Sequence, residues 1–146
     1  MEVSIGVQFF GDVRDQMLLE KLKKEHTWLG PIDGDRVKAL MSHADIVLST
    51  SVWETLPGTI VEGISSGAAA VTTSNGGQSD IVTDGVTGYL ATSADPAEIA
   101  RLIDRTLTLD FSPEGRQARH AEMARRFAAD AVAARYLALF NQLCPR

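Results

Sequence analysis

The stretch 44–72, ADIVLSTSVWETLPGTIVEGISSGAAAVT, carries the fold. It opens with Ala44-Asp45-Ile46-Val47-Leu48, a short apolar run stopped by Ser49-Thr50-Ser51. It closes with Ala68-Ala69-Ala70-Val71-Thr72, a second apolar run that follows the terminator Ser65-Ser66-Gly67. Apolar runs of this length without polar alternation read as strands buried on both faces. Between them Pro57 suits the first position of a helix and Gly67 its end, so the spacing predicts a helix over 57–66. Strand, helix and strand in this order make a parallel crossover unit.

The flanking sequence repeats the pattern. Upstream, Val3 to Phe10 is a strand-forming run closed by Gly11-Asp12, and Arg14 to Glu25 is rich in helix formers, with Leu18 and Leu22 one turn apart. A short Thr27-Trp28-Leu29 segment and the turn Gly30-Pro31-Ile32-Asp33-Gly34 precede Val37, Leu40, Met41 and Ala44 at helical spacing. Downstream, Asn75-Gly76-Gly77 and Asp84-Gly85 bracket the segment 79–83, and Gly88 to Ala91 reads as a last small strand. Asp95-Pro96 with Glu98, and Ser112-Pro113-Glu114, are helix starts. Met123, Ala124 and Phe127, then Ala133, Tyr136, Leu137 and Phe140, give two C-terminal helices their apolar faces. The expected architecture is α/β: a doubly wound parallel sheet with helices on both faces and a helical C-terminal tail, in a single domain over 1–146.

Composition narrows the partners. With 45% hydrophobic and 23% charged residues the 146-residue chain has the make-up of a globular domain. Fourteen Lys and Arg against 19 Asp and Glu leave a net charge of -5, which argues against nucleic acid. No apolar run approaches the roughly 20 residues of a membrane span. Met1-Glu2-Val3-Ser4 is not a basic leader, so a cytoplasmic location is expected. A single cysteine, Cys144, excludes an internal disulfide or a cysteine-built metal site.

In a parallel α/β sheet, ligands sit beyond the carboxyl ends of the strands. The richest loop there is Ser51-Val52-Trp53-Glu54-Thr55-Leu56-Pro57, which leads into Gly58-Thr59-Ile60-Val61-Glu62. The unpaired N–H groups and positive end of a helix starting here favour a phosphate. Two carboxylates beside a phosphate repel it and suit flanking hydroxyls instead. Hence Glu62 would accept from ribose hydroxyls and Glu54 from a sugar beyond a pyrophosphate. Against this stands the plainer reading that one Glu complements the helix dipole and the other is a surface residue. Trp28 and Trp53 read as packing residues, although Trp53 beside Glu54 could wall a pocket. Asn75 to Asp80 reads as a turn that needs small residues, and His43 as a helix C-terminal residue. Arg116, Arg119, Arg125 and Arg126 read as a solvated helix face.

These residues resemble the C-terminal, nucleotide-sugar donor-binding domain of retaining glycosyltransferases of family 4, within glycosyl transferases group 1. The matching elements are Ala44-Asp45-Ile46-Val47-Leu48, the Glu54-x7-Glu62 spacing, Gly67 before a strand, Gly76-Gly77 followed by Asp80-Ile81-Val82, and Asp84-Gly85-Val86-Thr87-Gly88-Tyr89-Leu90. Asp95-Pro96, and Arg126-Phe127 followed by Tyr136, resemble the family's tail. The resemblance implies one Rossmann-like half of a GT-B fold. It implies that Glu54 contacts the donor sugar as the catalytic-site carboxylate and Glu62 the ribose, that Gly58, Thr59 and Ile60 meet the diphosphate, and that Gly30, Pro31 and Ile32 lie near the base. The substrate would be a nucleotide-diphosphate sugar transferred with retention, with no cofactor and no metal at this site.

Departures from the family pattern are Thr55 where Gly is usual, Asp80 where Glu is usual, and Ser65-Ser66 in place of a more apolar pair. The family's diphosphate-neutralising Arg and Lys stand before the strand matching Val3 to Phe10, and its acceptor-binding N-terminal domain lies outside this chain. The chain alone is therefore expected not to transfer sugar, and a complete hexosyltransferase would need that domain, in the same polypeptide or as a partner chain. A stand-alone nucleotide-sugar binding module, half of a sugar-nucleotide epimerase and a degenerate fragment remain alternatives.

Overall fold

The computed structural model describes residues 6–144, and the chain divides into two compact units, Met1–Ala39 and Leu40–Arg146. In the first unit β1 (Gln8–Phe9) and β2 (Thr27–Trp28) pair in parallel, Gln8 opposite Thr27 and Phe9 opposite Trp28. The strand expected over 3–10 thus appears in its later residues, and residues 3–5 lie outside the described part. Helix α1 (Gln16–Glu25) begins two residues after the predicted start because the Asp15 carboxylate accepts from the Met17 and Leu18 N–H groups. Asp33 opens α2 (Gly34–His43) similarly, accepting from the Arg36 N–H at 2.9 Å.

In the second unit β3 (Ile46–Ser49), β4 (Ala69–Thr73) and β5 (Gly88–Ala91) form a parallel sheet in the order β3-β4-β5. Helix α3 (Gly58–Ser65) and the one-turn α4 (Gln78–Ile81) make the crossovers; α5 (Pro96–Thr106), α6 (Pro113–Phe127) and α7 (Ala129–Leu143) follow. Every residue of β4 is buried, the two threonines that end it included. Successive strand residues face opposite sides. Val47, Ala70 and Leu90 join Ile60, Ile64, Ile81 and Met123, whereas Ile46, Val71 and Ala91 join Ile99, Leu102 and Ile103 of α5. Helices therefore cover both faces of this sheet, which is the α/β layering read from the sequence. Ile60 and Ile64 are fully buried, and each stabilises the seat of α3 by roughly 1.5–3 kcal/mol. Gly63 lets that helix come close, because a Cβ there would stand 2.6 Å from Val47 Cγ1.

The start of α5 holds a titrating device. Asp95 caps the helix through the Ala97 N–H, with Pro96 in the first turn. Glu98 reaches back past the cap and accepts from the N–H and hydroxyl of both Thr92 and Ser93, at 2.6–3.1 Å. These bonds, led by the Ser93 hydroxyl, lower its pKa from 4.5 to about 2. A folded-state pKa below the unfolded one gives stability that is present above pH 4.5 and lost as the pH falls towards 2. The melting midpoint of Glu98→Gln is expected to lie below the parent's at neutral pH and to converge with it across that acid interval. Parallel pH curves would sink the assignment.

The arginines of α6 are not the solvated face expected of them. Arg119 is 3% exposed and donates to Gly67 O and Asp110 O, both at 2.9 Å. Arg116 donates to Ser42 O and Ala44 O and pairs with Asp45 at 3.4 Å. Arg126 donates to Ile81 O and Asp80 O, so only Arg125, paired with Glu122, stays on the surface. Three guanidinium forks thereby satisfy carbonyls at or just beyond the carboxyl ends of α2, α3 and α4, where the helix dipole is negative. Beyond a break at Ala128, α7 packs on α6 and buries none of its own residues; its apolar Tyr136, Leu137 and Phe140 face outward.

Candidate functional site

The site is built at the carboxyl ends of β3 and β4, where the loop 50–57 leads into α3. Two bonds from the β4–α4 segment pin this loop. The Thr73 hydroxyl donates to Ser51 O at 2.5 Å, and the Gly77 N–H donates to Glu54 O at 2.8 Å. Glu54 and Gly76 also form an isolated parallel β-bridge. Both glycines are sterically required here. A Cβ on Gly76 would lie 2.3 Å from Glu54 O, and one on Gly77 would lie 1.9 Å from Thr55 O. Asn75-Gly76-Gly77, read from the sequence as a turn needing small residues, is thus the seat on which the Glu54 backbone rests. Paired glycines just before a helix start were the available signal.

Glu54 is half-buried on this seat. Its neighbours Val52, Trp53 and Leu56 are 70%, 68% and 60% exposed. Trp53 is therefore not the packing residue expected; the backbone pairing of Glu54 with Gly76 turns the loop outward instead of into the core.

Helix α3 starts beside this loop with Pro57 as its N-cap, so no side chain caps its first turn. The Pro57 carbonyl takes the N–H groups of Ile60 at 3.0 Å and Val61 at 3.2 Å. Of the three residues expected to meet a diphosphate, Ile60 has committed its N–H to Pro57 and buried its side chain. Gly58 and Thr59 are exposed at the positive end of the helix. Glu62, one turn further along, is exposed, and neither Glu54 nor Glu62 makes a side-chain hydrogen bond or ion pair with the described residues. The arrangement is two open carboxylates flanking a helix start with free N–H groups.

Gly30, Pro31 and Ile32 belong to the other unit. There they form the turn after β2, with Gly30 at φ +71° and its carbonyl accepting from the Gly11 N–H at 3.0 Å. His43 ends α2 beside the Ser42 hydroxyl, the position expected of a helix C-terminal residue. Among the described residues no group of three or more His, Cys, Asp or Glu could hold a metal ion, and no helix is long and apolar enough to cross a membrane.

Residues 7–127 match the family model described as Glycosyl transferases group 1. The chain is 33% identical over 102 residues to an uncharacterized glycosyltransferase of Methanocaldococcus jannaschii, covering 67% of this chain and 26% of that protein. It is 28% identical over 130 residues to the 2-deoxystreptamine N-acetyl-D-glucosaminyltransferase of Niallia circulans, covering 88% of this chain and 33% of that one. The solved structure of Anabaena HepE in complex with UDP-glucose is similar with a TM-score of 0.67 at 22% identity, over 87% of this chain and 36% of that chain. The likeness in structure shows a GT-B glycosyltransferase fold. The chain spans about a quarter to a third of the length of these two curated relatives.

Proposed function

The chain belongs to the glycosyl transferases group 1 family, and we propose that it is the nucleotide-sugar donor-binding domain of a family 4 enzyme that transfers a sugar with retention. One observation carries the reading: the uncapped start of α3, with Gly58 and Thr59 exposed, stands between the open carboxylates of Glu54 and Glu62. Free N–H groups at a helix N-terminus attract the diphosphate and stabilise the negative charge it gains as the bond to the sugar breaks. Glu62 accepts from the ribose hydroxyls and Glu54 from hydroxyls of the sugar. That HepE was solved with UDP-glucose supports a ligand of this class. The acceptor site is supplied by a domain outside this chain, so transfer belongs to the assembled enzyme.

Thermal melts with UDP, GDP, ADP and their matching sugar nucleotides, each at several millimolar, test the reading. A ligand at about five times its dissociation constant stabilises by roughly 1 kcal/mol, which moves the midpoint by roughly 2–4 °C in a chain of this size. One base is expected to give the shift. Glu62→Ala is expected to weaken nucleotide and sugar nucleotide alike by about 10-fold or more, the loss of a charged hydrogen-bond acceptor. Glu54→Gln spares the nucleotide and weakens only its sugar form. Equal losses for both ligands in both variants would defeat the assignment of roles.

A further inference from the structure

The first residue of α4 is anomalous. Gln78 is completely buried, yet neither its amide nitrogen nor its amide oxygen has a hydrogen-bond partner. Of the residues with buried, unpartnered side-chain atoms among those described, Gln78 alone contributes two such atoms, its whole amide; the others are Thr72 Oγ1 and one Arg119 nitrogen. A leucine or methionine of similar volume would fill the space without stranding polar atoms, so packing does not account for an amide here.

The position of that amide is informative. Gln78 Oε1 stands 3.3 Å from where a Cβ on Gly76 would lie, and Gly76 is the residue bridged to Glu54. The next residue, Gly77, holds Glu54 O through its N–H. The unpaired amide therefore lies against the backbone crossing that carries Glu54, on its buried side.

We infer that Gln78 is a positioning residue for Glu54: its buried amide is a reserve hydrogen-bond partner for the Glu54–Gly76 crossing, engaged when a donor sugar draws on the Glu54 loop. This rests on the reading of Glu54 as the carboxylate that contacts the sugar. A nucleotide without its sugar does not load the loop and gains nothing from Gln78. The amide thus acts on discrimination between a sugar nucleotide and its nucleotide, and not on nucleotide affinity.

The experiment compares the parent with Gln78→Leu, Gln78→Met and Glu54→Gln, measuring thermal midpoint and affinity for UDP and UDP-glucose, with the GDP and ADP pairs alongside. Both Gln78 variants are expected to melt at or above the parent, since an apolar side chain replaces a stranded amide. They are expected to bind the nucleotide as the parent does and its sugar form about five-fold more weakly, the effect of one lost hydrogen bond. Glu54→Gln is expected to shift the same ratio. If both Gln78 variants leave the ratio unchanged while Glu54→Gln lowers it, the positioning role is overturned and the reading of Glu54 stands. If Glu54→Gln leaves the ratio unchanged, that reading falls and the role of Gln78 falls with it. Lower midpoints and equal losses for both ligands in the leucine and methionine variants would make Gln78 a structural residue and overturn the inference.

Discussion

In Gly77→Ala the acidic loop separates from its seat. The new methyl group would stand 1.9 Å from Thr55 O, a backbone atom that no rotamer change can move aside. Either α4 or the loop 50–57 must shift, and the bond from the Gly77 N–H to Glu54 O at 2.8 Å breaks. Overpacking of this kind destabilises by about 1–3 kcal/mol, and the lost bond adds about 1 kcal/mol. The midpoint is therefore expected to fall by roughly 4–16 °C at 2–4 °C per kcal/mol. Binding of the sugar nucleotide should fall further than binding of the nucleotide, because Glu54 is displaced while the start of α3 stays anchored by Ile60 and Ile64. Gly34→Ala is the control, since a methyl group there meets nothing within 4 Å. A Gly77→Ala protein that melts like the parent and keeps its preference for the sugar form would show that the glycine seat does not set Glu54.

Replacing Arg119 produces the second large effect, on stability. Its guanidinium bridges Gly67 O, just past the end of α3, and Asp110 O, before α6, and lies over the Phe111 ring at 5.0 Å. Burial lowers its pKa, and the neighbouring Arg116 adds to this, but an arginine remains charged throughout the accessible range. Arg119→Ala strands two carbonyls and opens a cavity, and an expected loss of about 3 kcal/mol follows. Arg119→Lys restores little, because one ammonium cannot span acceptors on two separate segments as the planar fork does. Arg125→Ala, by contrast, removes an exposed pair with Glu122 and changes stability by no more than about 0.5 kcal/mol. Urea unfolding separates these outcomes, and comparable losses for Arg119→Ala and Arg125→Ala would refute the structural role given to Arg119.

Much of this molecule is legible in short windows of sequence. The apolar runs at Ala44 to Leu48 and Ala68 to Thr72 become β3 and β4, within one or two residues. Asp95-Pro96 and Ser112-Pro113 open α5 and α6 because a capping carboxylate or hydroxyl and a pre-set proline act on their own turn. The spacing of Glu54 and Glu62 around Pro57-Gly58 is likewise local, since helix start and flanking carboxylates lie within nine residues of one another. The helix came out one residue shorter at each end than predicted, with Pro57 as cap in place of first residue, because its carbonyl accepts the bonds that open the helix.

By itself, then, the sequence determined the α/β alternation, the helix starts and the acidic loop placed ahead of α3. Each of these follows from the conformational preference of neighbouring residues and from the periodicity with which they bury apolar surface. Only the tertiary structure decided that Gly76 and Gly77 seat the Glu54 backbone, that Arg116, Arg119 and Arg126 close the carboxyl ends of helices, that Trp53 stands outside the core and that Gln78 lies unpaired beneath the loop. These features join residues 22 to 74 positions apart in the chain. A hydrogen bond between such residues leaves no period and no local propensity behind. It exists only once the burial of Ile60, Ile64 and the residues of β4 has brought the separate segments to within bonding distance.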